Sequence, residues 1–260
     1  MNAVHRPIET MQDPNLLYRL LSRWQASLSK RIFWRQHLRE AIDSIETVKR
    51  EMPTVETMTA IPMLFRGKGY YRTLELKQNM TELLGLVRHL ADQPLRRVCE
   101  IGTFKGGTLF IWCQLADPEA RIVSIDLPGG AFGGGYSARS IPFFQSFCRD
   151  RQQLDCLRQS SHDAATLDRL KTLLQGQPLD FLFIDGDHTY EGVKKDFEMY
   201  SPLVRPGGWI GFHDIVARPQ QPSIQVHRLW NELNQEHTHH EFIESSTQRR
   251  RIGIGLIEMK

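Results

Sequence analysis

The sequence predicts an α/β fold built on a mostly parallel sheet of seven strands, with an antiparallel hairpin at its C-terminal end. From residue 95 onward, short apolar runs alternate with helical patterns, which is typical of parallel strands joined by crossover helices. Residues 181–184 are all apolar and lead into Asp-Gly-Asp-His, as expected for a strand buried on both faces. Residues 241–244 and 251–258 flank a polar turn, which indicates the hairpin.

The predicted strands are short and each ends at a glycine, a polar residue or a charged residue. They are residues 98–101, 121–125, 154–158, 179–184, 209–214, 241–244 and 251–258. Crossover helices are predicted after Gly106-Gly107-Thr108, over 138–150, after Asp163, after Gly192 and after Ser223. Parallel sheets of this kind bind ligands at the carboxyl ends of their strands. Functional residues are therefore expected just after the strands.

Residues 1–66 are predicted to form an N-terminal helical extension, and residues 67–260 the main domain. Asp13-Pro14 is typical of a helix start. Two apolar stripes follow, at Leu16, Leu20, Trp24 and Leu28 and at Leu38, Ile42, Ile45 and Val48. Either stripe could cover the main domain or pair with another subunit, and we expect a homo-oligomer.

The composition is that of a globular protein and argues against several other classes of protein. The hydrophobic fraction is 40% and the charged fraction 24%, as in ordinary globular proteins. A net charge of +3 is too small to indicate a nucleic-acid partner. The four cysteines show no metal-binding or CxxC spacing, and there is neither a signal peptide nor an apolar run of about 18 residues. The sequence therefore predicts a cytoplasmic protein with reduced thiols that does not enter a membrane.

The first strand runs into Glu100-Ile-Gly102-Thr103-Phe-Lys-Gly106-Gly107-Thr108. Glycines allow close approach of the backbone to a ligand, and the helix start offers N–H donors to a negative group. The spacing differs from G-x-G-x-x-G, so a dinucleotide pyrophosphate is not indicated. Asp126 ends the second strand, where a carboxylate can accept from two ribose hydroxyls or simply cap a turn.

These motifs resemble those of class I S-adenosylmethionine-dependent methyltransferases. The resemblance lies in E-I-G-T-F-K-G-G-T, S-I-D-L, F-I-D-G-D-H-T-Y-E-G-V-K-K-D and L-V-R-P-G-G-W-I-G-F-H-D, and covers roughly residues 95–258. The sequence is most similar to the group with cephalosporin-hydroxylase-like proteins and rhamnosyl and macrolide sugar O-methyltransferases. The resemblance implies a Rossmann-like sheet and transfer of a methyl group to a hydroxyl of a small molecule or sugar.

The resemblance also implies a set of cofactor contacts. Glu100, Gly102 and Thr103 would lie against the methionine part of S-adenosylmethionine, and Gly107 and Thr108 would close that turn. Asp126 would hold the ribose hydroxyls, Ser161 and His162 would flank the adenine, and Asp185 would lie beside the methyl donor. His162 is equally compatible with a surface position before a helix.

Related enzymes hold a divalent cation at the ends of strands four and five, and the matching residues are Asp185, His213 and Asp214. His213 stands where an acid is usual, and imidazole shifts the preference from magnesium toward manganese, iron or zinc. Neighbours on a strand point to opposite faces, so His213 and Asp214 can share one ion only if the chain bends there. The alternative is a hydrogen-bonded Asp–His cluster without an ion.

Asp185 and His188 are the predicted catalytic residues. His188 lies at the start of the helix after strand four, where the helix dipole favours a neutral ring that can accept a proton near pH 7. It would remove the proton of the acceptor hydroxyl, although a histidine at this position can also be a helix cap. Asp187 is explained by a loop cap alone.

Three other functions use a similar sheet or similar residues. A nicotinamide oxidoreductase would need the absent G-x-G-x-x-G. An iron-dependent hydroxylase would need two histidines and one carboxylate on one face. A non-catalytic partner would keep the sheet for assembly. The tyrosines at 70–71 are expected to border the acceptor pocket or to form a packed turn, and the glycines within 129–135 are expected to border the same pocket. Residues 237–240 are expected to be a solvated loop and residues 249–251 a solvated turn.

Overall fold

The computed structural model describes residues 28, 31–51, 54–129, 134–245 and 251–260. The first predicted helix, from Asp13-Pro14 onward, therefore lies outside the described residues, as do most of the basic run at 249–251 and the centre of the glycine-rich loop. Among the described residues, no helix has the length and apolar character needed to cross a membrane.

The described residues form a seven-stranded sheet, as the sequence predicts. Its strands are β1 (Arg97–Ile101), β2 (Arg121–Ile125), β3 (Gln153–Leu157), β4 (Leu179–Ile184), β5 (Val204–His213), β6 (His239–Phe242) and β7 (Ile254–Glu258). The spatial order is β3-β2-β1-β4-β5-β7-β6. β7 is antiparallel to both β5 and β6, whereas the pairs among β1 to β5 are parallel. The predicted C-terminal hairpin and the Rossmann-like class of the fold are confirmed.

Helices cover both faces of this sheet. They are α1 (Trp34–Glu51), α2 (Val55–Leu64), α3 (Met80–Leu90), α4 (Gly107–Leu115), α5 (Ile141–Gln145), α6 (Ala164–Leu174), α7 (Tyr190–Tyr200) and α8 (Val226–Leu233). Side chains from α1 to α5 form one hydrophobic core with alternate strand residues such as Val98. The other strand residues, such as Cys99, form a second core with α6, α7 and α8. The central strands β1, β2 and β4 therefore bury both of their faces, which explains their apolar composition.

The register of the parallel strands brings the predicted functional residues to one edge of the sheet. Ile101 at the end of β1 pairs with Ile125 at the end of β2 and with Ile184 at the end of β4. Gly102, Asp126 and Asp185 are the next residues of these three strands, so they leave the sheet side by side.

Two local predictions were wrong. Pro206-Gly-Gly208 was expected to be a turn before a strand, but these residues lie inside β5, where the pairing with β4 shifts its register between Leu179 and Phe181. The expected solvated loop at 237–240 contains the first half of β6, because His239 and His240 pair with Ile257 and Leu256. Both histidines are nevertheless exposed.

Helix α2 was not predicted from the sequence. It contains Pro62, a residue that normally ends a helix. Its start is a capping box, in which the Thr54 side chain accepts from Thr57 N and the Thr57 hydroxyl bonds back to the cap. The helix predicted over 138–150 is shorter than expected, since only Ile141–Gln145 is α-helical.

Candidate functional site

A cavity of about 570 Å³ lies at the carboxyl ends of the parallel strands. This volume is within the ordinary range for small-molecule and cofactor sites. The structure brings together eight of the predicted site residues in its wall, namely Gly102, Asp126, Ser161, His162, Asp185, His188, His213 and Asp214. Four others, Glu100, Thr103, Gly107 and Thr108, are not part of the wall.

Gly102 forms the floor of the cavity between β1 and β4. Its φ is +89°, and a Cβ at this position would lie 2.0 Å from the backbone oxygen of Asp185. Its N–H donates to Ile125 O at 2.9 Å. The close approach and the positive φ each require glycine. Glycine at this position lets the turn after β1 pack closely against the end of β4.

Glu100 lies beneath the first turn rather than in the cavity. The residue is fully buried, and its carboxylate accepts from Thr103 Oγ1 at 2.7 Å and from Trp112 Nε1 at 2.8 Å. Burial raises the pKa of Glu100 to about 7, against the lowering effect of its hydrogen bonds with Thr103, Thr108 and Trp112. Glu100 thus connects the turn after β1 to helix α4, and its contact with a cofactor stays a prediction.

Gly107 packs helix α4 against the chain segment that precedes α3. A Cβ on Gly107 would lie 2.5 Å from Glu75 O and 2.7 Å from a methyl group of Leu76. Thr103 Oγ1 shares a 2.7 Å hydrogen bond with Ser124 Oγ, and Thr108 is buried. These residues shape the turn from behind, while Gly102 and Phe104 face the cavity.

Asp126 closes the cavity at the end of β2. One of its carboxylate oxygens accepts from the backbone N–H of Phe104, and only 7% of the residue is exposed. Burial raises the pKa of Asp126 to about 6, opposed by backbone hydrogen bonds from Phe104, Thr103 and Leu127. The carboxylate therefore joins the first two strand ends and still borders the cavity.

Ser161 and His162 form the wall beyond β3. The ring Nε2 of His162 lies 3.2 Å from Gly192 O and 3.3 Å from the buried carboxylate of Asp196 on α7. The hydrogen bond to Asp196 raises the pKa of His162, and partial burial opposes it only in part. His162 is thus anchored to α7 as well as facing the cavity, which differs from a purely surface position.

Asp185 extends from β4 into the centre of the cavity. Its Oδ1 accepts from the ring of His213, whose Nδ1 lies at 2.9 Å, and its Oδ2 accepts from Gln78 Nε2 at 2.6 Å. Gln78 belongs to the segment before α3, so this contact joins the N-terminal side of the domain to the strand ends.

Asp214 follows β5 with a φ of +69°, so the chain does bend where His213 and Asp214 would otherwise point to opposite faces. Its Oδ2 lies 2.8 Å from His188 Nδ1, and its Oδ1 accepts from the guanidinium of Arg218. His213 Nδ1 is 3.6 Å from the same carboxylate. The bend therefore gathers both carboxylates and both imidazoles into one cluster.

The carboxylates of the cluster raise the pKa of both histidines. Burial lowers the pKa of His188, but the hydrogen bond to Asp214 and the charges of Asp185 and Asp214 outweigh it, so the net shift is upward. The pKa of His213 is likewise raised, because its two carboxylate neighbours outweigh its complete burial. The pKa of Asp214 is lowered, since its bonds to these cations outweigh burial. The direction of the His188 shift is opposite to the one expected from the helix dipole, because the nearby carboxylates raise its pKa.

The donor set fits a divalent cation. Among the described residues, Asp185, His188 and Asp214 can each present one ligand atom within 4.8 Å of the others. Two carboxylates and one imidazole suit manganese, iron or zinc better than magnesium. His188 rather than His213 is the histidine of this group. The prediction that His213 is itself a ligand remains a prediction.

Asp187 does not belong to this cluster, as expected. Its Oδ1 accepts from the backbone N–H and the hydroxyl of Thr189, at 2.9 and 2.8 Å. Thr189 in turn caps α7 by accepting from Gly192 N. Asp187 therefore shapes the helix start from the cavity wall.

The tyrosines at 70–71 border a second cavity, also about 570 Å³, which shares Phe104 and Gly135 with the first. Tyr71 is buried and donates to Arg139 O at 3.0 Å, whereas Tyr70 is exposed. The packed-turn interpretation thus describes Tyr71. Whether Tyr70 borders an acceptor stays a prediction.

Comparison with known proteins agrees with this geometry. Residues 99–215 match the family described as a methyltransferase domain. An uncharacterised protein of Acanthamoeba polyphaga mimivirus is 35% identical over 167 residues, which are 60% of this chain and 72% of that protein.

Two solved structures share the fold. The O-methyltransferase TomG from Streptomyces achromogenes, solved with SAM, has a TM-score of 0.50 and 20% identity over 85% of this chain and 90% of its own. The cofactor-bound protein Rv0187 from MTB has a TM-score of 0.50 and 20% identity over 72% of this chain and 82% of its own. The strand order and these matches agree, and the chain belongs to the methyltransferase family whose domain residues 99–215 match.

Proposed function

We propose that this protein is an O-methyltransferase that transfers the methyl group of S-adenosylmethionine to a hydroxyl of a small molecule or sugar. One observation carries the proposal: a single cavity contains the Gly102 turn, the Asp126 carboxylate and the cluster of Asp185, His188 and Asp214. The first two suit a nucleoside cofactor, and the cluster suits removal of a proton from a hydroxyl. The O-methyltransferase activity named for TomG supports this proposal.

The cofactor would lie along the strand ends. Asp126 would accept from the ribose hydroxyls, Gly102 would face the methionine part, and Ser161 and His162 would border the adenine. When bound, S-adenosylmethionine supplies a methyl group on a positively charged sulfur. The carboxylate of Asp185 would lie beside that charge and stabilise it.

His188 is the proposed base, and its hydrogen bond to Asp214 identifies which ring nitrogen would accept the proton. Because Nδ1 lies 2.8 Å from Asp214 Oδ2, the Nδ1–H donates to Asp214 and Nε2 is the nitrogen that would take the proton from the acceptor hydroxyl. Asp214 stabilises the imidazolium that results. His213 and Gln78 hold Asp185 from both sides, so the cavity presents a fixed arrangement in which donor and acceptor can be aligned.

A divalent cation would be held by Asp185 and Asp214, with His188 as the third residue within reach. Such an ion, when bound, lowers the pKa of a coordinated hydroxyl. Each of the four carboxylate oxygens already accepts from a protein donor, namely Gln78, His213, His188 and Arg218. Calorimetric titration of Mn²⁺ and Mg²⁺ into the protein, with Asp214→Asn as the comparison, would test whether these carboxylates bind an ion.

The proposal is tested first by cofactor binding. We expect calorimetry to show binding of S-adenosylmethionine and S-adenosylhomocysteine, and no tight binding of NAD. Tight NAD binding would support an oxidoreductase, and failure to bind either nucleoside would support a non-catalytic partner. Oxygen uptake on adding Fe²⁺ and 2-oxoglutarate would support the hydroxylase alternative.

Variants then test the cluster. We expect Asp185→Asn and His188→Ala to lower the rate of methyl transfer at least tenfold, a typical effect of removing a general base. Asp168→Asn and His239→Ala are matched controls, because both side chains are exposed and lie outside the cavity wall. Full activity of both cluster variants would exclude the Asp185–His188 centre as the reactive site.

We also propose that the N-terminal helices cover one face of the sheet. Helices α1 and α2 contribute Ala41, Ile45 and Ile61 to the core that covers one face of the sheet. This packing supports a covering role for residues 31–64 within the predicted extension 1–66. The expected homo-oligomer is tested by light scattering of the full chain.

A further inference from the structure

Arg218 is a part of the cavity that the proposed mechanism does not use. It lies in the segment between Asp214 and α8, and only 10% of its side chain is exposed. Arg218 lines the same cavity as His188 and Asp214, together with Gln221 and Ile224. Arginine is rarely buried unless its donors are paired.

The pairing of Arg218 is incomplete. One of its terminal nitrogens donates to Asp214 Oδ1. Its Nε is shielded from water, and no partner for it is present among the described residues. An unsatisfied buried N–H is unfavourable, and the penalty is removed when an acceptor oxygen reaches it. Within the proposed function, the molecule that enters this part of the cavity is the methyl acceptor.

We infer that Arg218 binds an anionic oxygen group, a carboxylate or a phosphate monoester, on the methyl acceptor. This inference rests on the proposed function and adds the substrate class. A guanidinium presents several N–H donors in a plane, which matches the oxygens of carboxylates and phosphates. Asp214 holds the guanidinium at one end, so the group is positioned before the acceptor arrives. Asp214 also bonds His188, so the anionic group would lie close to the hydroxyl that is methylated.

The first test is binding, with benzoate and inorganic phosphate as anionic probes and benzyl alcohol as the neutral match. Calorimetry is performed on the full chain with and without saturating S-adenosylhomocysteine. We expect at least one anion to bind wild-type protein about 10- to 100-fold more tightly than benzyl alcohol, a range typical of charge-assisted hydrogen bonds. Arg218→Gln should abolish this preference, and Arg218→Lys should retain part of it.

Arg228→Gln is the matched control, because Arg228 is exposed on α8 and packs over Tyr190 outside the cavity wall. This variant should bind the anions as wild type does. Equal anion binding by wild type and Arg218→Gln would overturn the inference, and so would a wild-type preference for the neutral probe. Failure of S-adenosylhomocysteine to bind would instead contradict the proposed function, while the anion titration without it still tests Arg218.

The second test is turnover with matched acceptors, measured as release of S-adenosylhomocysteine. The pairs are 3,4-dihydroxybenzoate with 3,4-dihydroxybenzyl alcohol, and galacturonate or galactose 6-phosphate with galactose. For any pair that is methylated, kcat/KM should favour the anionic member at least tenfold, and Arg218→Gln should remove that preference mainly by raising KM. The carboxylate and phosphate arms identify the source of the anion. An equal loss for both members of a pair would show that Arg218 only positions Asp214, and would overturn the inference.

Discussion

His188 illustrates how the charge of one residue depends on its neighbours. The start of α7 favours a neutral imidazole, but this influence of a helix terminus is modest and falls off within one turn. A direct hydrogen bond to the ionised Asp214, with Asp185 Oδ1 at 4.0 Å, favours the imidazolium more strongly. The ring is therefore held ready to carry the proton that it removes from an acceptor.

The pKa of His188 should accordingly lie above its ordinary value of about 6.5 in metal-free protein. Because the base must be unprotonated, methyl transfer should decrease as the pH falls through this raised pKa. Asp214→Asn should lower the pKa of His188, since it removes the largest stabilising partner of the imidazolium. NMR titration of the ring protons, assigned with His188→Ala, measures both values.

Asp168→Asn serves as the control for charge removal at an exposed site, and the His188 titration should not change in that variant. A His188 pKa at or below 6.5 in the wild-type protein, or one that Asp214→Asn leaves unchanged, would contradict this account of the cluster.

The sequence identifies the residues of the cluster but not all of their partners. Asp185 and Asp214 are visible because each directly follows a strand, and His188 because it lies just before a helix. Gln78 and Arg218 lie in segments without regular structure, and nothing in their local sequence distinguishes them from other polar residues. Only the fold brings Gln78 to within 2.6 Å of Asp185, across 107 positions of the chain.

At the scale of elements, Glu82 joins helix α3 to the C-terminal strands. It is 1% exposed, and its carboxylate accepts from three backbone N–H groups, those of Glu244, Ile252 and Gly253. The N–H of Glu244 lies shortly after β6, and those of Ile252 and Gly253 lie just before β7. Glu82 therefore satisfies donors that no strand partner reaches, and it fixes the hairpin against α3.

Replacing Glu82 with alanine should lower the free energy of unfolding by roughly 3–5 kcal/mol, because several buried N–H donors would lose their acceptor. Glu82→Gln should be less destabilising, since its amide oxygen can still accept. Urea unfolding followed by circular dichroism measures the change. Glu56→Ala is the control on the neighbouring helix α2, where Glu56 forms an exposed pair with Arg88. An equal loss of stability in both alanine variants would contradict the assigned role.

Elements were predictable where apolar periodicity and turn residues agree. The five parallel strands and α4, α6 and α7 follow this rule, and so does the hairpin. Helix α2 does not, because Pro62 contradicts the helical pattern locally and the tertiary packing of Ile61 overrides it. β5 begins earlier than predicted because its glycines accommodate an irregular register beside β4.

At the scale of the whole molecule, the site depends on two cores that hold the sheet from opposite faces. Trp112 on α4 packs against Phe181 and Phe183 of β4, with ring centroids 5.1 Å from each, and its Nε1 donates to Glu100. β4 carries Asp185, so this packing on one face positions a residue of the cluster. The packing of α7 on the other face places His188 just before that helix.

The same argument predicts that helix α1 is a structural part of the methyltransferase domain rather than an independent attachment. Ile45 is fully buried in the core that contains Trp112, whereas Ile32, just before α1, is 61% exposed. Ile45→Ala should lower the free energy of unfolding by about 2–5 kcal/mol, because it leaves a cavity in a close-packed core. Ile32→Ala makes the same chemical change at an exposed position and should alter stability by less than about 0.5 kcal/mol.

Urea unfolding is followed by circular dichroism and by tryptophan fluorescence. A single shared transition that moves to lower urea in Ile45→Ala would show that α1 unfolds with the sheet. A separate early transition, with the main one unchanged, would instead assign α1 to an independent unit.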